Sequence, residues 1–372
     1  MGGMHIARPL FAASFGVSVF LVALIFSTNA VARLISGVIA GFLMDRWGRR
    51  PLLIAGVALR FMTTLAEYYA TSYLEFLIWE FIGGLGISVW TTGSSVLIAD
   101  VTDKANRGRA VAVRTMSVRM GNIAGPFLGA LLTASFGLRS IFLFNAATKL
   151  MVLGIVFYLI KETRPESESV TPGKPRASEE KFGFSLFLTR AVLVISLATF
   201  GMGLMVQGVF SALFPIYVQQ AADFTAADVG YMITIASITT LLISYPNGVL
   251  VDWYGRKKTL IPGLFILGLS SLLLAQSFDY GWVVVMVVVY GIGVGMTMGT
   301  AQVYAMDLAP EQRRGAFLGV WSVFTHSSSI LAPLLLGFLA ETVGLTGTFS
   351  IVSVLLALSA IVTWAYGPET RA

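Results

Sequence analysis

The sequence predicts an all-α, polytopic membrane protein built from two homologous helical bundles, and three observations predict it. Of its 372 residues, 56% are hydrophobic and only 12% charged, with a mean hydropathy of +0.82. Ordinary soluble domains are about one-quarter charged, and a soluble core cannot hide this much apolar surface. The apolar residues also form runs long enough to cross a bilayer, and the second half of the chain repeats the first at a fixed offset.

A spanning helix needs about 20 apolar residues. Such runs lie near 17–44, 51–71, 74–99, 111–136 and 139–160, then near 189–217, 227–251, 259–277, 281–306, 316–340 and 345–366, which makes 11 helices. Most of the 38 glycines are scattered through them, as helices packed closely in lipid require. Between the two sets, 161–187 is the only long polar stretch, with Pro165, Pro172 and Pro175 among Ser, Glu and Lys, and reads as a flexible linker. The expected organisation is therefore a first bundle over 1–160, a linker over 161–187 and a six-helix bundle over 188–372.

The net charge of +6 is distributed as a topology signal. Eighteen of the 25 Lys and Arg residues fall in 45–50, 104–109, 161–190, 256–258, 313–314 and at Arg371. The intervening loops at 70–73, 219–228, 278–281 and 341–346 have none. This positive-inside pattern predicts cytoplasmic basic loops and a cytoplasmic C-terminus in the plasma or inner membrane. A nucleic-acid partner, which would need the charge gathered on one soluble face, is not expected. With no Cys, two His and no H-E-x-x-H string, neither a metal site nor a cofactor is expected. No G-x-x-x-x-G-K-[ST] string is present for ATP, and no nucleophile, base and acid fall at one depth, so neither a primary pump nor an enzyme is expected.

The repeat has an offset of 207 residues. In register stand Gly41/Gly248, Asp45/Asp252, Gly48/Gly255, Arg49/Arg256, Gly56/Gly263, Gly84/Gly291, Gly86/Gly293, Asp100/Asp307, Arg107/Arg314, Gly108/Gly315, Pro126/Pro333 and Gly137/Gly344, without a gap. Projecting the first helix of the second half back by the same offset places most of its partner ahead of Met1. Only 1–15 is left to represent its outer end, so a start upstream of Met1 and twelve helices are expected, the alternative being eleven helices with a short re-entrant N-terminus.

The stretch Gly41-Phe-Leu-Met-Asp45-Arg46-Trp-Gly48-Arg49-Arg50 resembles the loop signature G-x-L-x-D-R-x-G-R-R that follows the second helix of major facilitator transporters. A degenerate copy, Gly248-Val-Leu-Val-Asp252-Trp-Tyr-Gly255-Arg256-Lys257-Lys258, stands at the equivalent place in the second half. Parallel repeats of six helices, with the substrate site between halves near the midplane, are the organisation of that family. The resemblance implies the major facilitator fold and a conformational latch formed by Gly41, Asp45, Arg46, Gly48, Arg49 and Arg50 with Asp252, Gly255 and Arg256. Physically, Gly48 permits a tight turn, Asp45 suits the positive end of a neighbouring helix, and the arginines suit the headgroup region.

Leu77-Ile-Trp-Glu80-Phe-Ile-Gly83-Gly84-Leu-Gly86 resembles the family's L-x-x-R-x-x-Q-G-x-G, but Glu80 replaces the arginine and Gly83 the glutamine. The arginine's proton-coupling role does not transfer. An intramembrane carboxylate is either a proton site in its own right or half of a structural ion pair. Gly121-Asn-Ile-Ala-Gly125-Pro126-Phe-Leu-Gly129-Ala130 resembles the antiporter-associated G-x-x-x-G-P-x-x-G-G, and small residues at this spacing also serve helix packing.

Other intramembrane polar groups complete the candidate set. Arg119 lies about 18 Å past Arg107 along its helix, near the midplane, and its repeat partner is His326. Either or both suit a substrate or proton site, whereas His326 can equally be held neutral by Ser327, Ser328 and Ser329. Arg33 lies at similar depth, ready to meet Glu80 or an anionic ligand. Arg60, Glu67 and Lys149 sit on helices that the family keeps peripheral, where snorkelling or bracing is expected. Gln207 and Gln302 are amides that can bind ligand or a neighbouring helix. With these residues, the resemblance implies a secondary active transporter of a small organic solute, working as a monomer by alternating access, coupled to protons and favouring export. The alternatives are uptake of an organic anion or other metabolite, and a non-transporting sensor that keeps the fold.

Overall fold

The computed structural model describes residues 2–103, 106–163, 190–221, 224–276, 279–309 and 314–369. Every regular element among them is helical. In the first half these are α1 (Met4–Ala13), α2 (Val19–Trp47), α3 (Arg49–Tyr69), α4 (Tyr73–Val101), α5 (Arg107–Phe136) and α6 (Ser140–Leu159). In the second half α7 (Arg190–Gly203) runs through a π-helical stretch, Leu204–Leu213, into α8 (Phe214–Ala221). Then follow α9 (Ala226–Tyr254), α10 (Arg256–Ala275), α11 (Tyr280–Leu308) and α12 (Arg314–Tyr366). Hydrocarbon offers a peptide group no hydrogen-bond partner, so each pass satisfies its own backbone by coiling.

Nine of these helical stretches are long and apolar enough to cross a membrane. One of them, α12, holds two passes, because Gly344 breaks it with φ 79° and ψ 166°. Helix α5 is a further 30-residue pass whose arginines lower its hydropathy. The eleven expected passes are therefore all present, with bounds within a few residues of the apolar runs. The expected linker, 161–187, lies outside the described residues except for 161–163.

The repeat is written into the turns. Gly48 and Gly255 both adopt φ 95°, with ψ 166° and 161°, and each carries the chain directly from one helix into the next. This backbone region is essentially closed to residues with a Cβ. Gly137 and Gly344 likewise take positive φ, 80° and 79°, at the turn between the last two passes of each half. The helix starts of α4 and α11 are capped in register. Ser72 accepts from the Glu75 amide and Asp279 from the Trp282 amide, satisfying donors left over at the first turn.

The chain divides into two compact units, one with α1, most of α2 and α3–α6, the other with α7–α12 and Ser18–Ala23. In the first, α1 is fixed by Phe11, whose ring lies 5.1 Å from Phe76 on α4 and 5.1 Å from Phe142 on α6, with the Arg139 guanidinium over it at 5.3 Å. Helices α3 and α4 touch through Gly56 and Gly86, each facing the other's carbonyl. In the second unit Asn247 on α9 donates to Met296 O and Thr300 Oγ1 on α11, at 3.1 and 2.9 Å. Trp321 Nε1 on α12 donates to Thr199 Oγ1 on α7 at 2.9 Å. Such interhelical hydrogen bonds supply cohesion that apolar packing alone does not in lipid.

Gly48→Ala is expected to lower stability by about 1–3 kcal/mol, because it forces a side chain into that backbone region. Gly154→Ala, at a helical position with open space, is expected to be neutral or slightly stabilising. Thermal unfolding in detergent checks both, and equal effects would contradict the strain argument.

Candidate functional site

Two polar regions stand out in the first unit, one at the loop end of α3 and one inside the bundle. At the loop end, Arg49 Nε pairs with Asp100 Oδ2 at 3.1 Å, linking the start of α3 to the end of α4. The Glu162 carboxylate accepts from the amides of Arg49 and Arg50 at 2.8 and 3.1 Å, where the unpaired donors and the positive end of α3 favour an anion. Arg50 donates to Phe157 O at 2.7 Å, tying α3 to α6. In the second unit Arg256 Nε pairs with Asp307 Oδ2 at 2.7 Å. Arg49/Arg256 and Asp100/Asp307 are both repeat partners, so duplication has kept one ion pair in two copies.

Among the other latch residues Arg46 and Asp252 are exposed, and Gly48 and Gly255 form the turns described above. The surroundings of Gly41 and of the Asp45 side chain lie outside the described residues. Sequence reasoning did not foresee Asp100, Asp307 or Glu162 as partners, although both aspartates were visible in the repeat register.

Inside the bundle, Glu80 is fully buried. Its Oε1 lies 2.6 Å from Arg8 Nε on α1, and Oε2 accepts from Asn29 Nδ2 on α2 at 2.9 Å. The same amide nitrogen reaches the Glu80 carbonyl at 3.0 Å. Arg33, expected to meet Glu80 or an anionic ligand, is exposed on α2 and within electrostatic reach of Glu80, while the 2.6 Å ion pair is made by Arg8 from the short first helix. A charge within the apolar run Met4–Phe15 was the signal for Arg8, and Asn29 gave none.

Of the two expectations for Arg60 and Glu67, the buried pair fits bracing and not snorkelling. Arg60 is 4% and Glu67 0% exposed, and they pair at 2.7 Å within α3. The reason is Gly83, the position at which the motif departs from glutamine. A Cβ there would overlap Arg60 Nη1, so the missing side chain on α4 makes room for the guanidinium. Lys149 Nζ on α6 is half-buried and reaches Asn145 O at 3.4 Å.

The remaining candidates are dispersed. Arg119 and His326 are both exposed on their own helices, with His326 Nδ1 2.7 Å from Ser322 O. Gln302 is exposed, and Gln207 is half-buried on the π-helical stretch. Beside it Phe210 stacks on Tyr290 at 3.8 Å and on Phe214 at 5.0 Å. Unforeseen, Arg114 crosses from α5 to α4 and donates to Ser95 Oγ at 2.9 Å. Within the glycine motif, Gly125 and Gly129 lie against Gly2, Gly3 and Ile6, Pro126 lies against Gly2, and Gly121 has open space at its Cα. Among the described residues no three His, Cys, Asp or Glu gather as metal ligands.

Repeated helical bundles, duplicated ion pairs at the turns and a buried charge network define a membrane transporter. The chain belongs to the Major Facilitator Superfamily, whose model matches residues 4–227 and 204–372. An uncharacterized MFS-type transporter of Methanocaldococcus jannaschii is 22% identical over 95% of this chain and 91% of its own. Multidrug resistance protein 1 of Bacillus subtilis is 25% identical over 91% and 85%. The synaptic vesicular amine transporter of Mus musculus is 23% identical over 90% and 64%. Among solved structures, a nucleoside transporter superposes with a TM-score of 0.80 at 12% identity, covering 99% of this chain and 95% of its own. A D-xylose–proton symporter superposes with 0.77 at 16%, covering 100% and 97%. The protein is thus an integral membrane transporter with the major facilitator fold, acting on a small-molecule substrate.

Arg8→Met leaves Glu80 buried without its counter-charge. It is expected to destabilise the protein by about 3–5 kcal/mol, and adding Glu80→Gln is expected to recover most of that loss. A double-mutant cycle in thermal unfolding checks the coupling, and additive effects would contradict it.

Proposed function

We propose that the protein is a proton-coupled secondary transporter that exports small organic solutes by alternating access, with Glu80 as the coupling carboxylate. The observation that carries this reading is the full burial of Glu80 between the Arg8 guanidinium and the Asn29 amide. An intramembrane carboxylate held by a cation on another helix changes that helix's tether when it takes a proton. Protonation removes the charge that holds Arg8 and so biases one arrangement of the bundle over another. Two multidrug resistance proteins of Bacillus subtilis among the relatives support export.

The Arg49–Asp100 and Arg256–Asp307 pairs, with Asp45, Arg46, Arg50 and Asp252 beside them in sequence, act as the latch. They break and re-form as the two turns move between states. Arg119 in the first unit, and Gln207, Gln302 and His326 in the second, are solute-contacting residues. The mid-helix position of Arg119 on α5 supports this, since ionisable residues within spanning segments mark substrate and ion pathways. The basic loops and the C-terminus face the cytoplasm, and the chain works as a monomer in the cell membrane, arranged as bundle, linker and bundle. Exposed Arg33 and Arg119 favour a second reading, uptake of an organic anion.

In everted vesicles with a preformed pH gradient, neutral amphipathic and anionic organic solutes are added while a pH-sensitive dye is followed. At least one solute is expected to dissipate the gradient through the native chain, whereas Glu80→Gln exchanges labelled solute without moving protons. Solute exchange by the native chain with no dye response would overturn proton coupling. Accumulation of an anion only in right-side-out vesicles would select uptake. Arg119→Lys is expected to lower solute exchange with membrane abundance unchanged.

A further inference from the structure

Helix α3 holds a second carboxylate that neither the latch nor Glu80 uses. Glu67 is 0% exposed although α3 ends two residues later, at Tyr69. Its Oε1 accepts from Arg60 Nη1 at 2.7 Å, while Oε2 is buried and, among the described residues, has no hydrogen-bond donor. An ionised carboxylate with one orphaned oxygen is a costly buried group, and a proton on that oxygen removes the charge.

Arg60 lies within electrostatic reach of two buried carboxylates, Glu67 and Glu80. Its Nη1 lies in the gap at Gly83, three residues from Glu80 and so on the same face of α4. The charges acting on Glu67 come from every side. They are Arg60 on α3, Glu80 on α4, Lys149 on α6 and Arg8 on α1. At about 1.5 Å per residue, Glu67 lies about 3 Å and Glu80 about 10 Å from the loop joining α3 to α4, which places Glu67 nearer the water.

The second unit supplies an independent observation. At the 207-residue offset, Arg60, Glu67, Glu80 and Lys149 correspond to Leu267, Leu274, Val287 and Leu356, each 0% exposed, and Asn29 to Ala236, 1% exposed. The same architecture therefore packs these positions with hydrocarbon. Buried ion pairs replaced by well-packed apolar residues are commonly as stable or more so. Stability alone does not account for four charges in one copy of the repeat.

We propose that Glu67 is a proton-binding site of the transport cycle, and that Arg60 relays its occupancy to Glu80. A proton from water at the α3–α4 loop forms an O–H bond on Oε2. The Arg60–Oε1 ion pair breaks, and Arg60 turns to Glu80, which loosens Glu80 from Arg8. Deprotonation reverses each step, with no change of oxidation state. The relay rests on the reading of Glu80 as the coupling carboxylate, whereas the proton site at Glu67 stands without it.

The test is infrared difference spectroscopy of the full chain in lipid nanodiscs across a pH titration, following the C=O stretch of protonated carboxyl groups. Glu67→Gln is expected to lose one titrating band and to shift the midpoint of a second, which Glu80→Gln removes. If Glu67→Gln leaves the spectrum unchanged while Glu80→Gln loses a band, the proposal is overturned and the role of Glu80 survives. If only the Glu67 band exists, the proton site stands, and both the relay and the reading of Glu80 fail. A variant carrying the residues of the second unit, Arg60→Leu with Glu67→Leu and Lys149→Leu, is expected to unfold at or above the native temperature and to lack the first band. Failure of that variant to fold would show the charges to be structural and overturn the proposal.

Discussion

An ionised side chain among lipid tails has no water to solvate it, so every charge kept at membrane depth must be matched inside the protein or exposed to an aqueous path. This constraint orders the first bundle. Glu80 reaches a cation on α1 and an amide on α2, Arg60 and Glu67 close on one another along α3, and Gly83 gives up a side chain so that a guanidinium fits. Helix α1 is short, yet it is tied twice, by the Phe11 ring cluster and by the Arg8 ion pair. The charges therefore set which helices must touch, and the small residues set how closely.

The two copies of the repeat have diverged unevenly. The turns and the Arg–Asp pairs beside them are preserved in geometry as well as in sequence, down to a shared φ of 95°. The interior is not. The charges of Arg60, Glu67, Glu80 and Lys149 are replaced in the second copy by leucine and valine and the amide of Asn29 by alanine, and Tyr290, stacked on Phe210, stands where the first has Gly83. Elements common to both copies hold the same turn in each, whereas elements found in one copy are free to diverge.

Much of the architecture was legible because lipid enforces simple rules. A run of apolar residues has little choice but to coil, so the eleven passes followed from length alone. The offset of 207 residues carried the turns with it, since a glycine at φ 95° tolerates little substitution. The charge network was less legible. Burial of Arg60 and Glu67 depends on which face of α3 meets α4, and hydropathy does not encode that. Asn29 and Glu162 gave no signal, being ordinary residues whose partners lie 51 and 113 positions away. The in-register spacing of Arg49 to Asp100 and Arg256 to Asp307 did hold the answer, had the pairs been read across helices instead of along them.

The π-helical stretch Leu204–Leu213 carries a mechanical corollary. A π-turn closes with an i→i+5 bond and holds more residues than an α-turn, and such segments are rarely longer than one turn. Ten residues wound this way form a shorter, wider coil than the α-helix they interrupt. Rewinding them as α-helix would both lengthen the span and screw α8 about its axis relative to α7, sweeping Gln207 and Phe210 around the rod. The wider winding therefore sets Gln207 and Phe210 at angles about the span that an unbroken α-helix would not give them.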